Sequence, residues 1–261
     1  MNRREFLAGL SIAGVAPLNT IAAAAGKGDE TEPEYYEMRQ YHLLARQDRK
    51  IFDDFFRDAT IPAMNRIGIR PIGVFNAMYG ADSSTIYVLR PHRSLESLAD
   101  ASSRLAADAE YRKAGASFLN APVSKPAYVR TESSLMAAFD RMPKLEVSVK
   151  KETRIFELRT YESHSEKVAK KKIEMFNEGG EMAIFRKTGL RAVFFGETLI
   201  GRRMPNLTYM LAFDDMAERN RCWERFRNDP DWKKLKANPV YKDTVSNITV
   251  VILRPAPYSQ I

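Results

Sequence analysis

The chain has one cysteine, Cys222, in 261 residues. That excludes an intramolecular disulfide, so the fold must hold by packing alone. A lone thiol with no histidine near it in sequence reads as a small packed side chain, not a nucleophile. Histidine is almost as scarce, with only His42, His92 and His164. No His-Glu-x-x-His pattern, paired cysteine or carboxylate-rich loop accompanies them, so neither a metal nor a cofactor is expected. There is no Gly-x-Ser-x-Gly nucleophile motif and no glycine-rich phosphate loop. Beyond the first 25 residues no run is apolar enough to span a bilayer, so no integral span is expected in the mature chain.

Lysine and arginine outnumber the acids 41 to 33, a net charge of +8. The cations are spread along the chain apart from one dense run, Lys167 and Lys170 to Lys172. That run falls on an expected helix and reads as a solvated face. No nucleic-acid motif is present, so nucleic acid is not an expected partner; a small acidic ligand remains one.

The first residues read as an address. Arg3-Arg4-Glu5-Phe6-Leu7 opens the chain, an apolar stretch follows to about Val15, and Pro17 precedes the alanines at 22–25. A paired-arginine n-region, an apolar h-region and a small-residue cleavage site in this order resemble a bacterial twin-arginine (Tat) signal. Residues 1–25 are therefore expected to be a Tat signal peptide, removed or retained as an anchor, and the mature protein periplasmic or otherwise extracytoplasmic. Residues 26–34 are polar, with Gly and Pro, and read as a linker.

The rest is written twice. Tyr36-Glu37-Met38-Arg39-Gln40-Tyr41 returns 120 positions later as Phe156-Glu157-Leu158-Arg159-Thr160-Tyr161. Gly68-Ile69-Arg70 matches Gly189-Leu190-Arg191, Tyr87 is set against Tyr209, and Asp108-Ala109-Glu110-Tyr111 matches Asp229-Pro230-Asp231-Trp232. Preserved order and near-constant spacing indicate a tandem duplication. Each copy starts with a β-rich hexamer. An amphipathic helix follows, with Ile51, Phe52, Phe55, Phe56 and Ala59 on one face, and stops at Gly68 or Gly189. Two strands are expected over 72–79 and 85–90, and over 192–199 and 208–213. A second helix spans 94–119, or 216–236 with a break at Pro230, and a last strand spans 127–131 or 247–253. The copies are placed at 35–132 and 152–261, with a connector over 133–151. The order β-α-β-β-α-β is the ferredoxin-like arrangement, an α+β fold whose sheet carries helices on one face. Two such units can cover each other's open faces, giving a pseudo-twofold α/β barrel within one chain.

The Tyr/Phe-Glu-Met/Leu-Arg-x-Tyr strand, the Gly-Ile/Leu-Arg step, and Trp223-x-x-Phe226 followed by Asp229-Pro230-Asp231-Trp232 resemble the NIPSNAP family. The resemblance covers nearly all of the mature chain and is closer in the second copy. It implies the dimeric α/β barrel superfamily. Eukaryotic members are associated with mitochondria, vesicle traffic and mitophagy signalling, and bacterial members mostly lack an assigned reaction. Related barrels include cofactor-free monooxygenases and haem enzymes, so fold analogy does not choose the chemistry.

Strand alternation supplies a candidate site. Glu37, Arg39 and Tyr41 share one face of the first strand, and Glu157, Arg159 and Tyr161 share one face of its repeat. With Phe156 and Leu158 assigned to the helices, both Glu-x-Arg-x-Tyr stripes are expected to line a ligand pocket in the barrel interior. There the arginines would hold an anionic group, the tyrosines would stack or donate, and a glutamate could act as general base. The competing reading is a structural ion pair. Binding of a small anionic or aromatic ligand is the leading functional expectation. A cofactor-independent monooxygenase or isomerase is the alternative, and a haem enzyme, with His164 as proximal ligand, the third. Exposed sheet edges leave a homodimer open.

Overall fold

The computed structural model describes residues 32–43, 49–79, 84–147, 149 and 151–261. The Tat signal expected over 1–25 and residues 26–31 of the linker lie outside them.

Eight strands carry the fold. In the first copy they are β1 (Tyr35–His42), β2 (Gly73–Tyr79), β3 (Thr85–His92) and β4 (Arg130–Ala138); in the second, β5 (Ile155–Glu162), β6 (Arg191–Ile200), β7 (Asn206–Phe213) and β8 (Asn247–Pro255). They close into an antiparallel barrel in the order β1-β3-β2-β8-β5-β7-β6-β4. Each copy contributes a ferredoxin-like sheet, and the pairings β2–β8 and β4–β6 join the two sheets. Closure leaves no free sheet edge in the barrel. Each copy is thus a βαββαβ unit, and the pair forms the pseudo-twofold α/β barrel.

Helices cover the outside. The first copy has α1 (Lys50–Asp54), a π-helical turn (Phe55–Thr60) and α2 (Ile61–Arg66), then α3 (Leu95–Ala107), α4 (Ala109–Ala114) and α5 (Ala116–Leu119). The second has α6 (Glu166–Asn177), α7 (Glu181–Thr188), α8 (Met216–Asn228) and α9 (Pro230–Lys236). Polar side chains start α3, α4, α6, α8 and α9, where the backbone N–H groups lack partners. The Ser94 hydroxyl accepts from Ser97 N at 3.2 Å, and the Asp215 carboxylate from Glu218 N at 2.8 Å. Gly68 and Gly189 end α2 and α7 with φ of 84° and 86°, a left-handed conformation that glycine adopts without steric cost.

Three expectations are adjusted by these elements. The helix expected over 94–119 is interrupted at Asp108, which caps α4 by accepting from Tyr111 N at 2.9 Å. Asp229 does the same before α9, so the break belongs to the aspartate in both copies and not to Pro230 alone. The last strand of the first copy runs to Ala138, taking in residues 133–138 of the expected connector. Two serines give that stretch little strand propensity, but β1 and β6 pair with it from either side. Finally, register sets Arg39 opposite Val88 and Arg159 opposite Tyr209, so Val88, not Tyr87, corresponds to Tyr209. A one-residue shift reverses the face: Tyr87 points into the barrel and Tyr209 towards the helices.

Three apolar clusters follow. One fills the barrel and joins both copies, with Tyr36, Met38, Phe75 and Leu89 against Phe156, Leu158, Phe194 and Met210. Each of the other two lies between a sheet and its own helices, around Phe52, Phe56 and Phe118 in the first copy and Phe176, Phe185 and Trp223 in the second.

Candidate functional site

These clusters reverse the expected orientation of the strand motifs. Tyr36, Met38, Phe156 and Leu158 point into the barrel. Glu37, Arg39, Tyr41, Glu157, Arg159 and Tyr161 point outward, under the helices, and the two triads do not meet in a shared cavity. Tyr41 packs edge-on against Phe52 and Phe56, and Tyr161 packs against Phe176. The physical reason is satisfaction of charge. The centre of a closed barrel offers a carboxylate no partner, whereas the helix layer offers cations and an indole N–H.

The second copy shows a filled version of this layer. Glu157 is fully buried. It accepts from Arg159 at 2.8 Å, from Arg219 on α8 at 2.7 and 3.1 Å, and from Trp223 Nε1 at 2.8 Å. The Arg159 guanidinium sits 4.5 Å from the Trp223 ring centroid, in cation–π range. Tyr209 donates to Tyr161 at 2.8 Å, and burial pushes both phenols up. Every acceptor position on the glutamate is taken by protein, which is the structural ion-pair reading.

The first copy keeps the glutamate and loses the filling. Helices α3 and α8 have the same length and are both preceded by a capping residue and followed by a capping aspartate. On that 121-residue spacing Trp223 corresponds to Ser102 and Arg219 to Leu98. The deletion leaves a pocket of about 330 Å³ between sheet and helices. Glu37, Arg39, Tyr41, Arg90, Tyr111 and Ser102 are among its lining residues. Such a volume is within the range of small-ligand sites. The π-helical turn supplies Phe55 and Thr60 to the same wall, and such turns recur at functional sites.

Its electrostatics favour an anion. Glu37 accepts from Arg39 at 2.6 and 2.9 Å, from Ser133 at 2.9 Å and from Arg90 at 3.3 Å, while His92 Nε2 stands 3.9 Å away. Arg90 also donates to Tyr41 at 3.2 Å, and its Nε is buried with no partner among the described residues. Burial pushes the Glu37 carboxyl up, but His92, Arg90 and Arg39 outweigh burial and hold it well below the usual carboxylate range. A carboxylate stabilised in this way is a weak base, which argues against the proton-abstracting role. Two arginines share one carboxylate, leaving positive charge beside an apolar wall of Phe55, Met64, Leu98 and Leu105.

Arg90, Tyr111 and Ser102 belong to no motif that marks them in the sequence. Ser102 is recoverable from the repeat, because the spacing sets it against Trp223. Arg90 is not, since its counterpart Leu211 carries no charge. No histidine lines the first-copy pocket, and His164 is exposed in the turn before α6. Among the described residues no group of three His, Cys, Asp or Glu side chains could hold a metal ion.

The sequence model of NIPSNAP matches residues 36–137 and 156–260, once per copy. Among solved structures, a candidate monooxygenase from Fusobacterium nucleatum subsp. nucleatum superposes with a TM-score of 0.57 at 9% identity, covering 86% of this chain and 93% of that one. One from Lactobacillus acidophilus gives 0.57 at 10% identity, covering 86% and 94%. A candidate chlorite dismutase gives 0.51 at 13%, covering 87% and 96%. At such identities the likeness establishes the dimeric α/β barrel fold alone. No curated protein matches the sequence.

Proposed function

We propose, for a chain that belongs to the NIPSNAP family, that the first repeat is a binding module for a small anionic ligand with an apolar or aromatic body. The ligand's place is the pocket between the first sheet and its helices, with its acid group at Arg39 and Arg90. The observation that carries this is the replacement of Trp223 and Arg219 by Ser102 and Leu98 on an otherwise retained Glu-Arg-Tyr frame. One copy of the duplication keeps the frame as a packed ion pair, and the other keeps it open to solvent at Ser102.

Calorimetric titration with benzoate and phenylacetate tests the reading. Saturable binding is expected, with loss on Ser102→Trp, which rebuilds the filled arrangement, and at least tenfold weakening on Arg39→Gln, the scale of one charged hydrogen bond. Binding that is unchanged in both variants would sink it. The duplicated barrel is further proposed to be exported by the Tat pathway, on the strength of Arg3-Arg4 and the alanines at 22–25. An Arg3→Lys/Arg4→Lys variant is then expected to accumulate in the cytoplasmic fraction. No helix of the described residues is long and apolar enough to cross a membrane.

A further inference from the structure

The barrel interior is not apolar throughout. Towards the end where β1 and β5 finish, its lining changes from Phe and Met to hydroxyl and amide side chains. A cavity of about 270 Å³ opens there, between the two repeats and separate from the pocket under the helices. Gln40 and Tyr87 reach it from the first repeat; Thr160, Thr208, Thr249 and Arg203 reach it from the second. At ~30 Å³ per water the space equals about nine waters.

Its floor is built. Thr198, Asn206 and Thr208 are each more than nine-tenths buried. Asn206 Oδ1 accepts from Thr198 at 2.6 Å and from Thr208 at 3.4 Å, and the Thr208 and Thr160 hydroxyls are 2.9 Å apart. Asn206 Nδ2 donates to the carbonyls of Arg202 and Arg203 at 2.9 and 3.0 Å, tying the floor to the loop above. That clamp holds Arg203 at φ 59°, a left-handed conformation uncommon for a non-glycine residue. So placed, the Arg203 guanidinium crosses the mouth and donates to Thr249 Oγ1 at 2.6 Å.

Among the described residues the charge there is unbalanced. Neighbouring Arg202 pairs with Glu132, and His42 Nε2 lies 3.5 Å from the same carboxylate. Arg203 pairs with no carboxylate among the described residues, and the Gln40 amide has no side-chain partner among them. A cation with no carboxylate partner among the described residues thus stands over a cavity whose walls both donate and accept. We propose that this barrel mouth binds a small polyhydroxylated anion, a sugar acid or sugar phosphate, with the anionic group on Arg203 and the hydroxyls on Gln40, Thr160 and Thr208.

The full chain is titrated by calorimetry with glucose 6-phosphate and gluconate, using glucose and inorganic phosphate as controls that each carry one of the two features. At least one of the first pair is expected to bind about tenfold more tightly than either control. Arg203→Gln, with unchanged melting temperature, and the near-isosteric Thr160→Val, in a protein that still unfolds cooperatively, are each expected to weaken it about tenfold, while Ser102→Trp leaves it intact. Absence of binding by both sugars, binding indifferent to Arg203→Gln and Thr160→Val, or inorganic phosphate binding as tightly as glucose 6-phosphate would each overturn the proposal.

Discussion

The Trp223 indole donates from Nε1 to Glu157 Oε2 at 2.8 Å, and Ser102 stands at the equivalent place in the first repeat without reaching Glu37. The same glutamate frame is therefore supported from the helix in one copy and from the strands, by Arg90 and Ser133, in the other. Trp223→Ser should carry the second repeat towards the open arrangement. It removes a large buried ring and one donor to a buried carboxylate, so a loss of about 3–5 kcal/mol is expected. Urea unfolding of the variant checks this, and a loss below about 1 kcal/mol would show that Trp223 is filler the layer does not need.

Glu37 makes stability depend on pH in a defined direction. Its carboxyl is held below the ordinary value in the folded protein, so the stabilisation is present above the unfolded pKa of about 4.3 and is lost as pH falls through the folded value. Glu37→Gln removes the charge that Arg39 and Arg90 share and should cost about 3 kcal/mol at neutral pH. Below about pH 4 the difference between variant and parent should narrow. Denaturation curves at several pH values would show it, and a difference constant with pH would be incompatible with the assignment.

The hexamer repeated at 120 residues and the paired glycines make much of this architecture legible in the sequence. They specify two ferredoxin-like units, and the open faces of those units require each other. What alternation does not supply is the direction of each face. It states that Glu37, Arg39 and Tyr41 lie together, but both sides of these sheets are covered, one by the other copy and one by helices. Only the presence of Arg219 and Trp223 over Glu157 decides between them. The Tyr87 and Tyr209 match fails for a related reason, since an offset of one residue looks trivial in sequence and reverses a side chain in a strand. Arg203 and Asn206 fall only in the link between the strands expected over 192–199 and 208–213, and no motif marks them, because the mouth they form draws on both copies at once.

Tyr36, Tyr161 and Tyr209 should resist ionisation. Burial is the main cause that raises each phenol above its ordinary value. A group whose folded pKa is raised stabilises the fold below the unfolded value, about 10 for tyrosine, and that stability is lost as pH rises through the folded one. Absorbance titration near 295 nm is expected to show these tyrosines ionising only with unfolding, as a cooperative alkaline step. Smooth titration of all tyrosines in the folded protein would contradict it. Tyr209→Phe, which deletes the 2.8 Å bond to Tyr161, should cost about 1 kcal/mol.

The second repeat buries a further ion pair. Lys172, expected on a solvated helix face, is instead buried: its Nζ lies 2.6 Å from Glu181 Oε2, and both side chains are almost wholly enclosed. The first repeat carries neither charge: Phe52 and Thr60 stand at the matching positions, on the 120 and 121 spacings, and Phe52 packs against Tyr41 where Lys172 lies 5.7 Å from the Tyr161 ring. The fold therefore does not require the pair. Burial pushes the Glu181 carboxyl up, with Lys172 opposing that push, so removal of the lysine alone leaves a carboxyl that resists ionisation. Lys172→Met is expected to destabilise by about 3–5 kcal/mol, and adding Glu181→Leu should recover most of that loss, since replacing a buried pair by apolar groups of similar size is often neutral. A double-mutant cycle by chemical denaturation measures the coupling, expected at about 2 kcal/mol or more. Additive single effects would mean that the two charges do not stabilise each other in the folded protein.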